Sequence, residues 1–373
     1  MARRRSADCG WRTGGPRDIA AHPCQHRHVI PSGAVGANFD SFLLDLDGVV
    51  YVGPHAVPGA AETIAAIVAA ERRIMYVTNN ASRPPADVAA QLMGLGIAAD
   101  PAQVVTSAQA GAALAARQIP AGSPVLAVGG PGVAAALVER GFVVIDAVVD
   151  EPAASGDDVA AVVQGFGRDV GWQALARASF AVARGMPWIA TNTDLTIPVS
   201  EGIAPGNGTL INAVSAATGR VPEVAGKPFP PLLLQAADLA QGLRPLVVGD
   251  RLDTDIEGAQ NAAMTSLLVL SGVSGALDLW RAPSTRRPHY VARDLSGLLA
   301  APLTVSVADG RASAGEASVR WGGPLLEVQI NEDPVGAVWA AAHLLWQSDS
   351  EPDNAVDVAQ ELDDLIRSDG TDR

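Results

Sequence analysis

The chain has 373 residues, 48% of them apolar but only 4% aromatic, and a formal net charge of −14 at neutral pH. That length accommodates more than one domain with a core of its own, and the small-residue composition favours helix–sheet packing over an aromatic interior. The acidity argues against a general binder of phosphate backbones, which needs clustered Lys and Arg, so no nucleic-acid partner is expected.

Cys9 and Cys24 are the only cysteines, which excludes a disulfide framework. No apolar run reaches the roughly 18–20 residues of a membrane helix, and the Arg-bearing opening lacks the apolar region of a secretory signal. The expectation is a cytoplasmic protein that does not engage a membrane. Residues 1–37 show no periodicity and read as a disordered tail. His22, Cys24, His26 and His28 lie there as metal-ligand types, without a second ligand cluster beside them.

Phe42, Leu43, Leu44 and Leu46 read as a short buried strand. Asp45 and Asp47 interrupt its end and share one side if the extended geometry persists. Gly48 then permits a sharp turn. Two carboxylates this close need a cation or a shared proton; two solvated aspartates at a strand end are the plain alternative. A helix follows from Pro58 through Ile64, Ile67 and Val68. The strand at 74–78 ends in Thr78-Asn79-Asn80-Ala81-Ser82-Arg83, where a hydroxyl, two amides and a guanidinium can face an anion or form an ordinary polar turn.

Beyond Pro84, helices are expected near 86–95 and 108–118, a strand at 124–128, a helix to Arg140 and a strand at 142–149. Gly130, Gly132 and Ala135 fit G-x-G-x-x-A. Asp146 follows sooner than the roughly 20 residues of a dinucleotide site, and Pro131 removes an N–H, so a structural turn is favoured. A strand at 159–164, a helix at 172–184 and a strand at 188–190 lead to Thr191-Asn192-Thr193-Asp194. Pro205-Gly206-Asn207-Gly208-Thr209 then feeds a helix, and such a start suits an anion or a tight packing contact.

Lys227, within Gly226-Lys227-Pro228, would by itself be surface decoration. A helix at 231–239 precedes the strand 245–248, which ends in Gly249-Asp250-Arg251-Leu252-Asp253-Thr254-Asp255. Hard divalent cations prefer such oxygens, and Mg2+ commonly takes one or two carboxylates. A helix at 259–264 and a strand at 266–270 follow. Strand candidates at 303–307, 318–321 and 325–330 with a helix at 335–346 suggest a small appended βα module. Residues 348–373 read as a mostly solvated acidic tail, although the weak period of Val356, Ala359, Leu362, Leu365 and Ile366 leaves open a docked helix.

Four signals thus stand at strand ends: Asp45 with Asp47, Thr78 with Asn79, Lys227, and Asp250 with Asp255. Together they supply a nucleophile, a proton-transfer group, an anion clamp and a metal ligand, as phosphoryl transfer through an aspartyl phosphate requires. With Asp45-Leu46-Asp47-Gly48-Val49-Val50-Tyr51, Thr78-Asn79-Asn80, Gly226-Lys227-Pro228 and Gly249-Asp250 to Ile256, the chain resembles the haloacid dehalogenase (HAD) superfamily of phosphatases over about residues 38–300. The subgroup it looks like contains p-nitrophenyl, phosphoglycolate and actinobacterial glycerol-3-phosphate phosphatases.

The resemblance implies an α/β fold. Its Rossmann-like core with a parallel sheet would span 38–83 and 221–300, and an inserted α/β C2-type cap would span 84–220. The 303–346 module and the 348–373 tail fall outside it. It also implies Asp45 as nucleophile, Asp47 as general acid and base, and Lys227 as charge balance. Thr78 and Asn79 would hold phosphate, with Asn80 and Arg83 beside them. Mg2+ would be held by Asp45, the Asp47 carbonyl and Asp250, with Asp255 as a supporting or water-mediated ligand. Cap residues Asn192, Asp194 and Asn207 are the substrate-discriminating candidates. The expected substrate is a small phosphorylated metabolite, first glycerol 3-phosphate, then phosphoglycolate or pyridoxal phosphate; a homodimer is left open. A non-catalytic metabolite-binding or scaffold protein is the alternative of a different class.

Overall fold

The computed structural model describes residues 30–151, 158–199, 201–348 and 350–368. The metal-ligand types at 22–28 lie outside the described residues. The expected tail to residue 37 is corrected at its end. Ala34 and Val35 are buried, and the Val35 N–H donates to the Ala300 carbonyl at 2.8 Å, so the packed core begins before residue 38.

Ser41–Leu44 is fully buried and lies inside a six-stranded parallel sheet. From one edge the order is Tyr290–Ala292, Thr265–Val269, Pro245–Gly249, Ser41–Leu44, Arg73–Thr78 and Val104–Thr106. Strands covered on both faces carry apolar residues in runs rather than in alternation, as these do. The chain runs from Ser41–Leu44 to one neighbour directly and reaches the other only after some two hundred residues. A crevice therefore opens at the carboxyl ends of these strands, where open parallel sheets bind ligands.

The boundary expected at 83/84 falls later. Val104–Thr106 pairs with Tyr76 to Thr78, and helix Pro85–Gly94 sends Val88, Ala89 and Leu92 into the cluster that holds Phe42 and Ile64. Conversely, Glu223–Val224, expected in the core, pairs with Ile189 and Ala190 in the second sheet. Strands of two or three residues carry too few positions for a period to show. The second sheet is also parallel, in the order Glu223–Val224, Trp188–Ala190, Ala161–Gln164, Pro124–Val128 and Val143–Asp146. Helix Ser107–Gln118 joins the two sheets. Its buried Ala108, Ala110, Ala112 and Ala115 belong to one continuous cluster with Leu43, Met75 and Val77 of the first sheet and Val125, Val163 and Ile189 of the second.

The G-x-G-x-x-A stretch is a seam between these units. The Gly132 N–H donates to the Ser82 carbonyl at 3.1 Å, and a Cβ on Gly132 would overlap the Ala81 carbonyl. The structural reading holds. Gly206 and Gly208 have the same use, since side chains there would strike the carbonyls of Asp194 and Thr193.

At the C-terminus, Val305–Ala308, Arg311–Ala314, Ala317–Trp321 and Leu326–Gln329 form an antiparallel sheet covered by helix Pro334–Leu345. The acidic-tail expectation is corrected here. Helix Ala355–Ser368 docks on Pro334–Leu345 and on helix Ala276–Trp280, burying Ala355, Ala359, Leu362 and Ile366 at helical spacing. Asp357, Glu361 and Asp364 face outward, whereas Asp363 accepts from the Ala276 N–H at 3.0 Å, so the docked helix that the weak period left open is the outcome. Two indoles cross the seam reciprocally: Trp280 Nε1 donates to the Val338 carbonyl and Trp346 Nε1 to the Leu279 carbonyl, each at 3.0 Å. Among the described residues no helix is long and apolar enough to cross a membrane.

Candidate active site

The Asp45 N–H donates to the Val248 carbonyl at 2.9 Å, which keeps Asp45 in register at the end of its strand. Extended geometry stops there. The Leu46 carbonyl accepts from the N–H groups of Val49, Val50 and Tyr51, closing a tight loop in which Gly48 has φ 84°. Asp47 is thus placed by a loop, not by strand alternation, and Tyr51 Oη donates to its Oδ2 at 3.4 Å. Asp47 keeps access to solvent. Burial by the surrounding protein still raises its carboxyl, against the lowering effect of the Tyr51 hydroxyl, Arg83 and Lys227.

Lys227 is 3% exposed, and its ammonium lies 2.5 Å from Asp45 Oδ1 and 2.6 Å from Asp255 Oδ1. A third donation, at 3.3 Å, goes to the Val77 carbonyl. Burial pulls the Lys227 ammonium down, but Asp255 and Asp45 outweigh it and hold it above the ordinary lysine range. Burial likewise raises the Asp45 carboxyl well above its usual range; Lys227 opposes this, while Asp255 and Asp250 add to it. One cation therefore bridges two of the three clustered carboxylates.

Asp250 is the one that Lys227 does not reach by hydrogen bond. Its Oδ2 accepts from the Val273 N–H at 2.7 Å, while its Oδ1 is buried with no hydrogen-bond partner. Burial, then the Asp255 charge, pushes its carboxyl up to about 7. Side chains at Gly48 or Gly272 would collide with the Asp250 carboxylate, so both positions form its cradle. Oxygens of Asp45, Asp250 and Asp255 lie within 4.8 Å of one another. An orphaned buried oxygen in an all-carboxylate set fits a hard divalent cation such as Mg2+. Asp255 already spends Oδ1 on Lys227 and Oδ2 on the Arg251 N–H at 3.2 Å, which suits it to a supporting position behind Asp45 and Asp250. It is set there by the wide turn Leu252–Ile256, where the Arg251 carbonyl accepts from the Ile256 N–H five residues on. Gly249 leaves room for its side chain.

The remaining candidates divide. Thr78 is buried at its strand end, and its Oγ1 accepts from the Asn80 N–H at 3.1 Å. Asn80 is exposed and turns its Oδ1 to the N–H and hydroxyl of Ser82, so it caps the turn. Arg83 donates to Gln91 Oε1 at 2.7 Å while its charge acts on Asp47. Asn192 donates to the Asn79 carbonyl at 2.7 Å, and Asn207 to the carbonyls of Asn192 and Gln164 at 2.8 and 3.3 Å. Both side chains are buried and donate to backbone carbonyls, while Asn207 Oδ1 has no hydrogen-bond partner. Asp194 does reach the core: its carboxylate accepts from Asn79 Nδ2 at 3.3 Å. Burial raises its pKa, with Arg251, the Asn79 amide and Lys227 acting the other way.

Residues 42–143 match the family model of haloacid dehalogenase-like hydrolases, and 224–298 match a second, HAD-hydrolase-like model. The D-glycerol 3-phosphate phosphatase of Mycobacterium tuberculosis is 38% identical over 84% of this chain and 88% of its own length. The chain belongs to the haloacid dehalogenase-like hydrolases. An acid sugar phosphatase of Staphylococcus aureus is 35% identical over 70% of this chain and 97% of its own. Among solved structures, the M. tuberculosis glycerol phosphate phosphatase in complex with magnesium superposes with a TM-score of 0.76 at 37% identity, covering 88% of this chain and 99% of that one. The p-nitrophenyl phosphatase of Archaeoglobus fulgidus gives 0.63 at 26% identity, over 70% and 98%.

Within this family member, sequence reading missed several supports of the site. The Val273 N–H, the Gly272 cradle and the Ser107 hydroxyl, which donates to the Asn79 carbonyl at 2.5 Å, lie outside every motif. They act through backbone or a single hydroxyl, and such groups leave no pattern in a sequence.

Proposed function

We propose that this chain is a cytoplasmic, Mg2+-dependent phosphomonoesterase whose substrate is glycerol 3-phosphate. The observation that carries the chemistry is the Lys227 ammonium clamped between Asp45 and Asp255 beside the orphaned Asp250 Oδ1. Asp45 attacks phosphorus in line, forming an Oδ–P bond as the ester P–O bond breaks. Asp47 gives its proton to the departing alkoxide, a role its raised pKa favours. It then takes a proton from the water that attacks the aspartyl phosphate, releasing phosphate and restoring Asp45. Thr78 and the Asn79 backbone hold phosphoryl oxygens, and Lys227 balances charge between Asp45 and the phosphate. Asp45, Asp250 and the Asp47 carbonyl would hold Mg2+, which when bound neutralises charge on the phosphoryl oxygens.

The substrate choice is supported by the M. tuberculosis relative. A structural match over 88% of this chain must enter the C-terminal module, because the residues before that module make up a smaller share. Steady-state turnover on glycerol 3-phosphate, phosphoglycolate, pyridoxal phosphate and sugar phosphates with Mg2+ tests it. The highest kcat/KM is expected for glycerol 3-phosphate; a higher value for phosphoglycolate or a sugar phosphate overturns the choice. Hydrolysis that survives Asp45→Asn overturns the mechanism.

A further inference from the structure

Asn79 spends both of its side-chain donors within the protein. Its Oδ1 accepts from the Lys227 N–H at 2.8 Å, and its Nδ2 donates to the Lys227 carbonyl at 3.0 Å. The other N–H of the amide is directed to the Asp194 carboxylate at 3.3 Å. Both donors and the acceptor are therefore engaged within the protein. The pairing grips the main chain of Lys227 on both sides, as a strand neighbour would. It also depends on Gly226, where a Cβ would come within 2.6 Å of Asn79 Oδ1. The Asn79 backbone is held in turn by Ser107 Oγ at 2.5 Å and Asn192 Nδ2 at 2.7 Å, both donating to its carbonyl.

From this geometry we propose that the Asn79 side chain is a positioning group, which fixes the Lys227 peptide so that Nζ falls between Asp45 and Asp255, and that only the Asn79 backbone meets the substrate. A lysine side chain has four rotatable bonds and cannot hold a bridge to two carboxylates unless its root is fixed. Asn79 fixes that root from the neighbouring strand end. Because the same amide also meets Asp194, the cap loop rests on the residue that sets the lysine.

This inference relies on the phosphatase reading, and one set of variants separates the two. Asn79→Ala, Lys227→Ala and the double variant are assayed with glycerol 3-phosphate and Mg2+, with thermal unfolding followed for each. Asn79→Ala is expected to lower kcat by about 10- to 100-fold, the scale of a slightly misplaced catalytic group, with KM changed by no more than about two-fold. In the double variant the loss should not exceed that of Lys227→Ala alone, since Asn79 acts through the lysine. If KM rises while kcat holds, or if the two losses multiply, Asn79 acts on the substrate and the proposal fails. Full turnover in Lys227→Ala would instead sink the phosphatase mechanism itself. Should Asn79→Ala not fold, Asn79→Ser carries the same comparison.

Discussion

The two parallel sheets of this molecule use their carboxyl ends in opposite ways. The first sheet buries charge at its strand ends: Asp250 and Asp255 are each 1% exposed and stand beside Asp45, and Lys227, just beyond the second sheet's Glu223–Val224, reaches across to Asp45 and Asp255. The second buries amides and hydroxyls. Gln164, Thr191, Asn192 and Asn207 are likewise nearly inaccessible, and the bonds that Asn192 and Asn207 donate end on backbone carbonyls. A buried charge demands a partner of opposite sign or a metal, whereas the N–H groups of a buried amide are met by nearby carbonyls, although Gln164 Nε2, Thr191 Oγ1 and Asn207 Oδ1 have no hydrogen-bond partner. One sheet end is therefore equipped for chemistry, and the other forms a packed support above it.

The sharpest break in that comparison comes from Asp45→Asn. It should reduce turnover by about 10^3-fold or more, because the reaction loses its nucleophile, while thermal unfolding shows a folded chain. Retained turnover would erase the distinction between the sheets. Next in size is removal of the divalent cation by chelation. Turnover should fall to background and return with added Mg2+. Saturating Mg2+ should also raise the unfolding temperature, since a ligand bound only by the folded state stabilises it. Hydrogen exchange should show that protection centred on the loops around Asp45 and Asp250, not on the second sheet.

A smaller effect is expected from Asn207→Ala. It frees the carbonyls of Asn192 and Gln164, and urea denaturation should show a loss of about 1–3 kcal/mol, with kcat on glycerol 3-phosphate little altered. A large kcat loss without destabilisation would return Asn207 to the chemistry. The smallest effect concerns Asp194, whose folded-state pKa lies above its unfolded value because of burial. The folded state then binds the extra proton. That stability is fully present below the unfolded pKa and is lost as pH rises through the folded one. Asp194→Asn should consequently unfold at a higher temperature than the unsubstituted chain at neutral pH, with the difference closing as pH falls toward 4. An equal gap at all pH values would show that its ionisation is not the cause.

The contrast between the sheets also explains what could be read in advance. Asp45 and Asp250 were legible because each charge interrupts an apolar run at a strand end, and the family pattern joins them to Lys227 across two hundred residues. The parallel core and the inserted unit were what the family resemblance implied. Asn192 and Asn207 stood as candidates because a loop amide looks the same in sequence whether it faces a ligand or a carbonyl. Asp47 was assigned to the right neighbourhood for the wrong reason: the Gly48 loop, not the pleat, brings it there. Val104–Thr106 was too short to show a period, and the weak period of helix Ala355–Ser368 left its docking open.

The reciprocal indole bonds at the C-terminal seam bear on how the whole chain melts. The apolar cluster that contains Trp339 and Leu345 also contains Leu252 and Ile256 from the turn that carries Asp255, so the last sheet and helices have no separate interior. Ending the chain near residue 300 would strip partners from the Leu279 carbonyl and the Trp280 indole and expose that shared cluster to water. The C-terminal segment is thus not a detachable passenger. Calorimetry should register its unfolding and the loss of the catalytic loops as a single cooperative heat-absorption peak.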